Sequence, residues 1–358
     1  MLLFLILGVV EGSARVYELF NPHCIFMEKD AFSKTDFFLS RIICLDHNNR
    51  VFEKDTIRLL SPNQHSQTIN INSHGFRGSE ISIEKPNDVF RIFVVGGSTT
   101  FGVGSTSDNT TMPGFLQEKF KNSDIDISID VINAGIGGAD SASESYYIKN
   151  FLLKFEPDMF VIYDGWNDAI NDVQYIEYED FEEQSNENSD NRFFQFANFP
   201  FYRTPFVIYD ILFWNPDKIS HYVVDPELIP IKTDLWKKRW QNICDSNSKN
   251  NIDTVIILQP LLGTGSKTLS PDESLMVPKL NEHKVPLQIL DSFSNVLPHL
   301  DNHCTKTYDF RNIFDNVNEP VYFDLGHTTD FGNEIIAQNI FNEIYPLVKE
   351  KISKTSYT

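Results

Sequence analysis

Four short apolar runs constrain this chain more than anything else in it: FRIFVVGG (90–97), IDVINAG (129–135), MFVIYDG (159–165) and TVIILQP (254–260). Each is rich in β-branched residues, has few polar ones, and closes on Gly, Asn or Pro. A strand apolar at nearly every position is buried on both faces, as in a parallel sheet covered by helices. The stretches between them carry helical patterns, PGFLQEKFKN, SASESYYIKNFLLKF and DLWKKRWQNICDS. Strands alternating with helices predict an α/β fold: a three-layer α/β/α sandwich with a central, mostly parallel sheet and functional residues where strands end. The 30 Phe among 358 residues need an interior, and a chain this long can bury one. Disordered and collagen-like readings fall away.

The remaining segments break that rhythm. Residues 88–350 make up the expected α/β domain, and 19–87 a polar extension ahead of it that includes NSHGFRG (72–78). An insertion is expected over about 172–235. It opens on the acidic stretch IEYEDFEEQSNENSDNR (176–192), read as a surface loop. The aromatic stretch 193–214 follows. It reads either as packed core, which is preferred, or as a lid in which Phe193, Phe194, Phe196, Phe199 and Phe201 offer an apolar surface to a substrate. Residues 1–18 begin with ten apolar residues before Glu11, short of the roughly 20 that span a bilayer. They are read as a membrane anchor or export-signal remnant, hence a tethered or secreted, extracytoplasmic protein. A buried first helix of a cytoplasmic protein is the alternative.

Composition excludes some partners and chemistries. With Lys+Arg 30 and Asp+Glu 50 the net charge is −20, which repels phosphate backbones and makes nucleic acid or anionic lipid a poor partner. Cys24, Cys44, Cys244 and Cys304 are widely spaced, with no C-x-x-C, so zinc-ribbon and thioredoxin-like readings have no support. Two disulfides (Cys24 with Cys44 the nearest pair in sequence) and four buried thiols both fit. His299 and His303 have metal-ligand spacing, but Pro298 and a loop setting argue against a site. No metal or organic cofactor is expected.

The chemistry gathers at strand ends. RIFVVGGSTTFG (91–102) reads as strand, glycine turn and serine, with a helix starting near Thr111, so the Ser98 hydroxyl stands exposed where a general base can reach it. It is not a P-loop, because Val103 occupies the lysine position. It is not a G-x-S-x-G elbow, because Thr100 occupies the last glycine position. A merely tight turn is the bland alternative. NAGIGGADS (133–141) ends the next run, and Gly137 and Gly138 let its backbone approach a ligand closely. In YDGWND (163–168), Asn167 is either an amide donor at the same edge or a turn residue. In YFDLGHTTDFGNEIIAQNIF (322–341), Asp324 precedes His327 by three residues, ahead of an amphipathic helix. A carboxylate so placed can accept from Nδ1 and turn Nε2 toward a nucleophile.

In this order the four blocks resemble those of the SGNH (GDSL-like) hydrolase superfamily, over about residues 88–350. NSHGFRG is similar to a segment found ahead of the domain in membrane-linked members. The resemblance implies a flavodoxin-like sheet and a triad of Ser98, His327 and Asp324. It also implies an oxyanion hole formed by the backbone N–H groups of Ser98 and Gly138 and the Asn167 amide. Gly97 departs from the family pattern, standing where G-D-S has Asp; that bears on the loop's fine positioning. The implied activity is serine-dependent hydrolysis of carbohydrate or lipid O-acyl esters. O-acyl transfer to a surface glycan by the same residues is the alternative, as is a non-catalytic glycan- or lipid-binding module. The presence of all four polar residues argues against the latter. A structural surface protein is a third reading.

Overall fold

The four apolar runs form four strands of a five-stranded, all-parallel sheet: β1 (Val89–Gly96), β2 (Ser128–Gly135), β3 (Met159–Asp164), β4 (Asp253–Leu258) and β5 (Lys306–Asp309), in the order β2-β1-β3-β4-β5. That is the flavodoxin-like order, as expected. The chain is seen in a computed structural model that describes residues 2–21, 29–48, 50, 52–54, 57–171, 203–213, 224–277 and 283–354. The fifth strand, KTYD, escaped the sequence reading. It lies at the sheet edge and is only partly buried, so it has no need to be apolar throughout.

The described helices are α1 (Leu2–Phe20), α2 (Phe37–Asn48), α3 (Ser98–Phe101), α4 (Met112–Lys121), α5 (Ser141–Tyr147), α6 (Trp166–Ile170), α7 (Thr204–Phe213), α8 (Ile229–Lys249), α9 (Pro271–Leu275), α10 (Lys284–Val296) and α11 (Asp330–Lys354). Strand alternation sorts the core into two layers. Phe90, Ile92 and Val94 of β1 face Leu116 and Phe120 of α4 and Ile336, Ile340 and Val348 of α11. Phe93 and Val95 face Tyr147 of α5, Trp236 and Trp240 of α8, and Phe293 of α10.

The extension is built onto this domain. It contributes α2 and two short antiparallel pairs, Phe52–Lys54 with Arg58–Leu60 and Gln64–His65 with Asn70–Ile71. Phe32, Ile43, Leu60, Ile69 and Ile71 form a third apolar cluster that closes on Phe101, Val103 and Phe323.

The structure bears on three readings of the segments outside the sheet domain. No helix among the described residues is long and apolar enough to cross a membrane. Nor is α1 buried: Phe4 and Val9 are largely exposed, and among its residues with described burial Ala14 alone joins the buried core. Glu11 of α1 accepts from the backbone N–H of Arg203 and Thr204 at the start of α7. The described end of the aromatic stretch is also not core. Val207 is buried, but Ile208, Tyr209, Ile211 and Leu212 are exposed; α7 packs on α1. The acidic stretch and Phe193, Phe194, Phe196, Phe199 and Phe201 lie outside the described residues. So does Cys24, while Cys244 of α8 and Cys304 form a disulfide.

One core position carries a stability prediction. Glu144 of α5 is buried, and neither carboxylate oxygen has a hydrogen-bond partner among the described residues. Burial, then the nearby Asp164, Asp168 and Asp140, push its carboxyl well above the ordinary value of 4.5. Such an acid favours folding in its protonated form, so its contribution is full at low pH and is lost as pH rises toward the folded value. Melting temperature should therefore fall between pH 5 and 8 more steeply in the wild type than in Glu144→Gln. Each proton released on unfolding contributes about 1.4 kcal/mol per pH unit. Equal slopes in the two proteins would show that Glu144 is not a source of the pH dependence.

Candidate active site

The sheet brings the predicted residues to one edge. In the order β2-β1-β3 the middle strand carries Ser98 just beyond its end, and its neighbours lead into Gly138 and Asn167. Gly96 of β1 pairs with Gly135 of β2 and Tyr163 of β3. Ser98 is the first residue of α3, a single helical turn lying directly on the strand ends. The helix expected near Thr111 is α4, capped by the Thr111 hydroxyl accepting from Gly114 N–H at 3.0 Å. The intervening turn was not foreseen, because four residues carry no periodicity. Glycine permits its close approach: a Cβ on Gly135 would stand 2.1 Å from the nitrogen of Phe101.

Asp324, His327 and Ser98 form one hydrogen-bonded chain. The Asp324 Oδ1 accepts from the backbone N–H of Gly326 at 2.9 Å and of His327 at 2.7 Å, which fixes the carboxylate within its own turn. Its Oδ2 lies 2.6 Å from His327 Nδ1. Nδ1–H donates there, leaving Nε2 as an acceptor 2.7 Å from Ser98 Oγ. The His327 ring stacks on Phe323 at 5.7 Å and 10°, and Phe323 is anchored in the extension's cluster. Burial disfavours the imidazolium, yet the charge and hydrogen bond of Asp324 outweigh it, so His327 sits above the ordinary 6.5 despite nearby Arg50. Burial likewise works against the Asp324 carboxylate, but His327 and the two backbone donors hold it below the ordinary 3.8.

The other two blocks close on the same loop. Gly138 has φ +84°, a conformation that favours glycine, and the Asn167 amide donates to the carbonyl of neighbouring Ala139 at 2.6 Å. Bonding to a carbonyl fixes the amide with nitrogen as donor, and that nitrogen carries a second hydrogen. Gly97 acquires a reason here: a Cβ at that position would come within 2.4 Å of the Asn167 amide nitrogen. With glycine at position 97, the Asn167 amide lies against the serine loop without displacement.

Supporting residues were missed because each partner is distant in sequence. Asp168 accepts from Ser141 N–H at 2.7 Å and Ser141 Oγ at 2.5 Å, tying α6 to α5. The buried Glu273 accepts from the N–H groups of Val321 and Tyr322 at 3.0 and 3.1 Å, just ahead of Asp324. Asp330 accepts from Thr106 N–H at 3.0 Å, joining the start of α11 to the loop after Ser98. Of the histidines considered for metal, His303 pairs instead with Asp245 at 2.9 Å, and His299 lies in a 3₁₀ turn.

No protein-family model and no curated protein matches the chain. Solved structures do. A mutant of an acetylxylan esterase from Geobacillus stearothermophilus is 13% identical with a TM-score of 0.42, over 71% of this chain and 94% of that one. A two-domain esterase active on acetylated mannans is 16% identical with a TM-score of 0.40, over 75% of this chain and 51% of that one. A protein described as lipolytic, of the G-D-S-L family from Desulfitobacterium hafniense, is 10% identical with a TM-score of 0.40, over 70% of this chain and 98% of that one. Likeness at this distance does not assign a substrate, and the chemistry has to come from the chain's own residues.

Proposed function

We propose that the chain is a serine-dependent hydrolase of O-acyl esters, of the SGNH type. The observation that carries this reading is the continuous chain from Asp324 through His327 to Ser98, with separations of 2.6 and 2.7 Å. The Ser98 oxygen attacks the ester carbonyl while His327 Nε2 takes the hydroxyl proton, then returns it to the leaving alcohol. Water repeats the sequence on the acyl-enzyme. Asp324 keeps the proton on Nδ1 and stabilises the imidazolium. The backbone N–H groups of Ser98 and Gly138 and the Asn167 amide would meet the charge developing on the carbonyl oxygen. Carbohydrate or lipid esters are the substrate class. We also place the chain outside the cytoplasm, an assignment supported by the Cys244–Cys304 disulfide.

A fluorophosphonate, which reacts only with an activated serine, tests the reading. The label should map to Ser98. Its rate should rise with pH through an apparent pKa above 6.5, since His327 must be neutral to accept the proton and its partner raises that value. A label elsewhere, or a rate flat from pH 5 to 9, would overturn the assignment.

A further inference from the structure

We propose that Arg77, in the NSHGFRG segment of the extension, is a positioning residue for Ser98, so that the extension is part of the active site. This rests on the serine-hydrolase reading above. The Arg77 side chain is fully buried and reaches the far end of the helical turn that Ser98 begins. Its Nη1 donates to the carbonyls of Phe101 at 3.0 Å and Gly102 at 2.8 Å. Nη2 donates to the Thr68 carbonyl at 2.8 Å and Nε to Asp108 Oδ1 at 2.8 Å. The guanidinium also lies over the Phe101 ring, 4.8 Å from its centre.

A four-residue turn cannot hold its own geometry, because its closing carbonyls have no partners further along a helix. At the end of α3 the Phe101 carbonyl is such a group, and Arg77 binds it together with the carbonyl of the following Gly102, which also accepts from Ser105 N–H at 3.2 Å. Asn133 Nδ2 adds a second donor to Phe101 at 3.2 Å, and Asn133 accepts in turn from the Arg77 backbone N–H at 3.3 Å. The other end of the clamp is also fixed, since Asp108 accepts from Asn70 Nδ2 at 2.9 Å. Movement at the closing end would reach Ser98 directly, whose own carbonyl accepts from Gly102 N–H at 3.0 Å and Val103 N–H at 3.1 Å. Ser98 must meet a histidine carried by a separate loop, and misplacement of such a pair by an ångström can cost about a hundredfold in rate. Only a planar guanidinium supplies donors in these three directions at once; a lysine ammonium is a single point of charge.

The test uses the full chain and its Arg77→Lys and Arg77→Met variants. Fluorophosphonate labelling is followed to completion, giving a rate constant and an amplitude separately, beside kcat and KM on p-nitrophenyl acetate. Arg77→Lys should label to full amplitude in the folded fraction with a rate constant reduced about tenfold. Its kcat should fall in parallel with KM nearly unchanged, as Arg77 touches no substrate. The apparent pKa should stay at the wild-type value, because the Asp324–His327 pair is untouched. A role in folding alone predicts the opposite pattern, a reduced amplitude labelled at the wild-type rate, and that result overturns the proposal. Rate and amplitude remain separable in whatever fraction of either variant folds. Wild-type protein that does not label at all would overturn the serine-nucleophile reading and this proposal with it.

Discussion

Ser98→Ala should lower kcat on p-nitrophenyl acetate by about five to six orders of magnitude, leaving the fold intact. The size follows from the serine's place in the proposed reaction. Without its oxygen there is no acyl-enzyme, and only binding and oxyanion stabilisation remain to help water. The stability cost should be small, since the change removes one hydroxyl and one hydrogen bond, a net of about 1 kcal/mol. His327 keeps its own fixing bond to Asp324, and with 23% of its side chain exposed its Nε2 can bind water instead. Retention of more than about a tenth of wild-type kcat would remove Ser98 from the nucleophile's role. A melting temperature that collapsed along with activity would mean that Ser98 holds the loop together rather than performing chemistry.

Asn167→Ala should lower kcat by about a hundredfold to a thousandfold, the usual cost of one oxyanion donor. KM should change much less, because the donor matters most once negative charge has developed. The geometry makes the turn-residue alternative testable. One amide hydrogen is committed to Ala139, so a merely structural Asn167 would show its loss in the loop holding Ala139 and in thermal stability. If kcat stays within about twofold of wild type while the melting temperature drops, Asn167 is a turn residue and the oxyanion assignment fails.

Much of this architecture was legible in the chain. Runs such as MFVIYDG are apolar at almost every position, as in a strand covered on both faces, so a parallel sheet followed from them. Asp324 and His327 are three residues apart, and a local turn is enough to join their side chains. KTYD was not legible, because an edge strand can be polar, and α3 was not, because one turn has no period. The flanking segments were harder to place for a related reason. Apolar composition marks residues that avoid water but does not say where they go, and α1 and α7 are apolar stretches whose described residues are largely exposed.

What the sequence by itself determined is the set of candidate groups for the proposed chemistry and the kind of element that ends at each. Local patterns of hydrophobicity and short-range turns depend only on neighbouring residues. Tertiary structure alone decided that Ser98 and His327, 229 residues apart, come within 2.7 Å. It also decided that the Asn167 amide lies against Gly97, and that Arg77 from the extension donates to the carbonyls at the end of the turn carrying the serine. Those outcomes depend on which loops the sheet order places side by side, and no local pattern encodes a distance between residues that meet only after the sheet has formed.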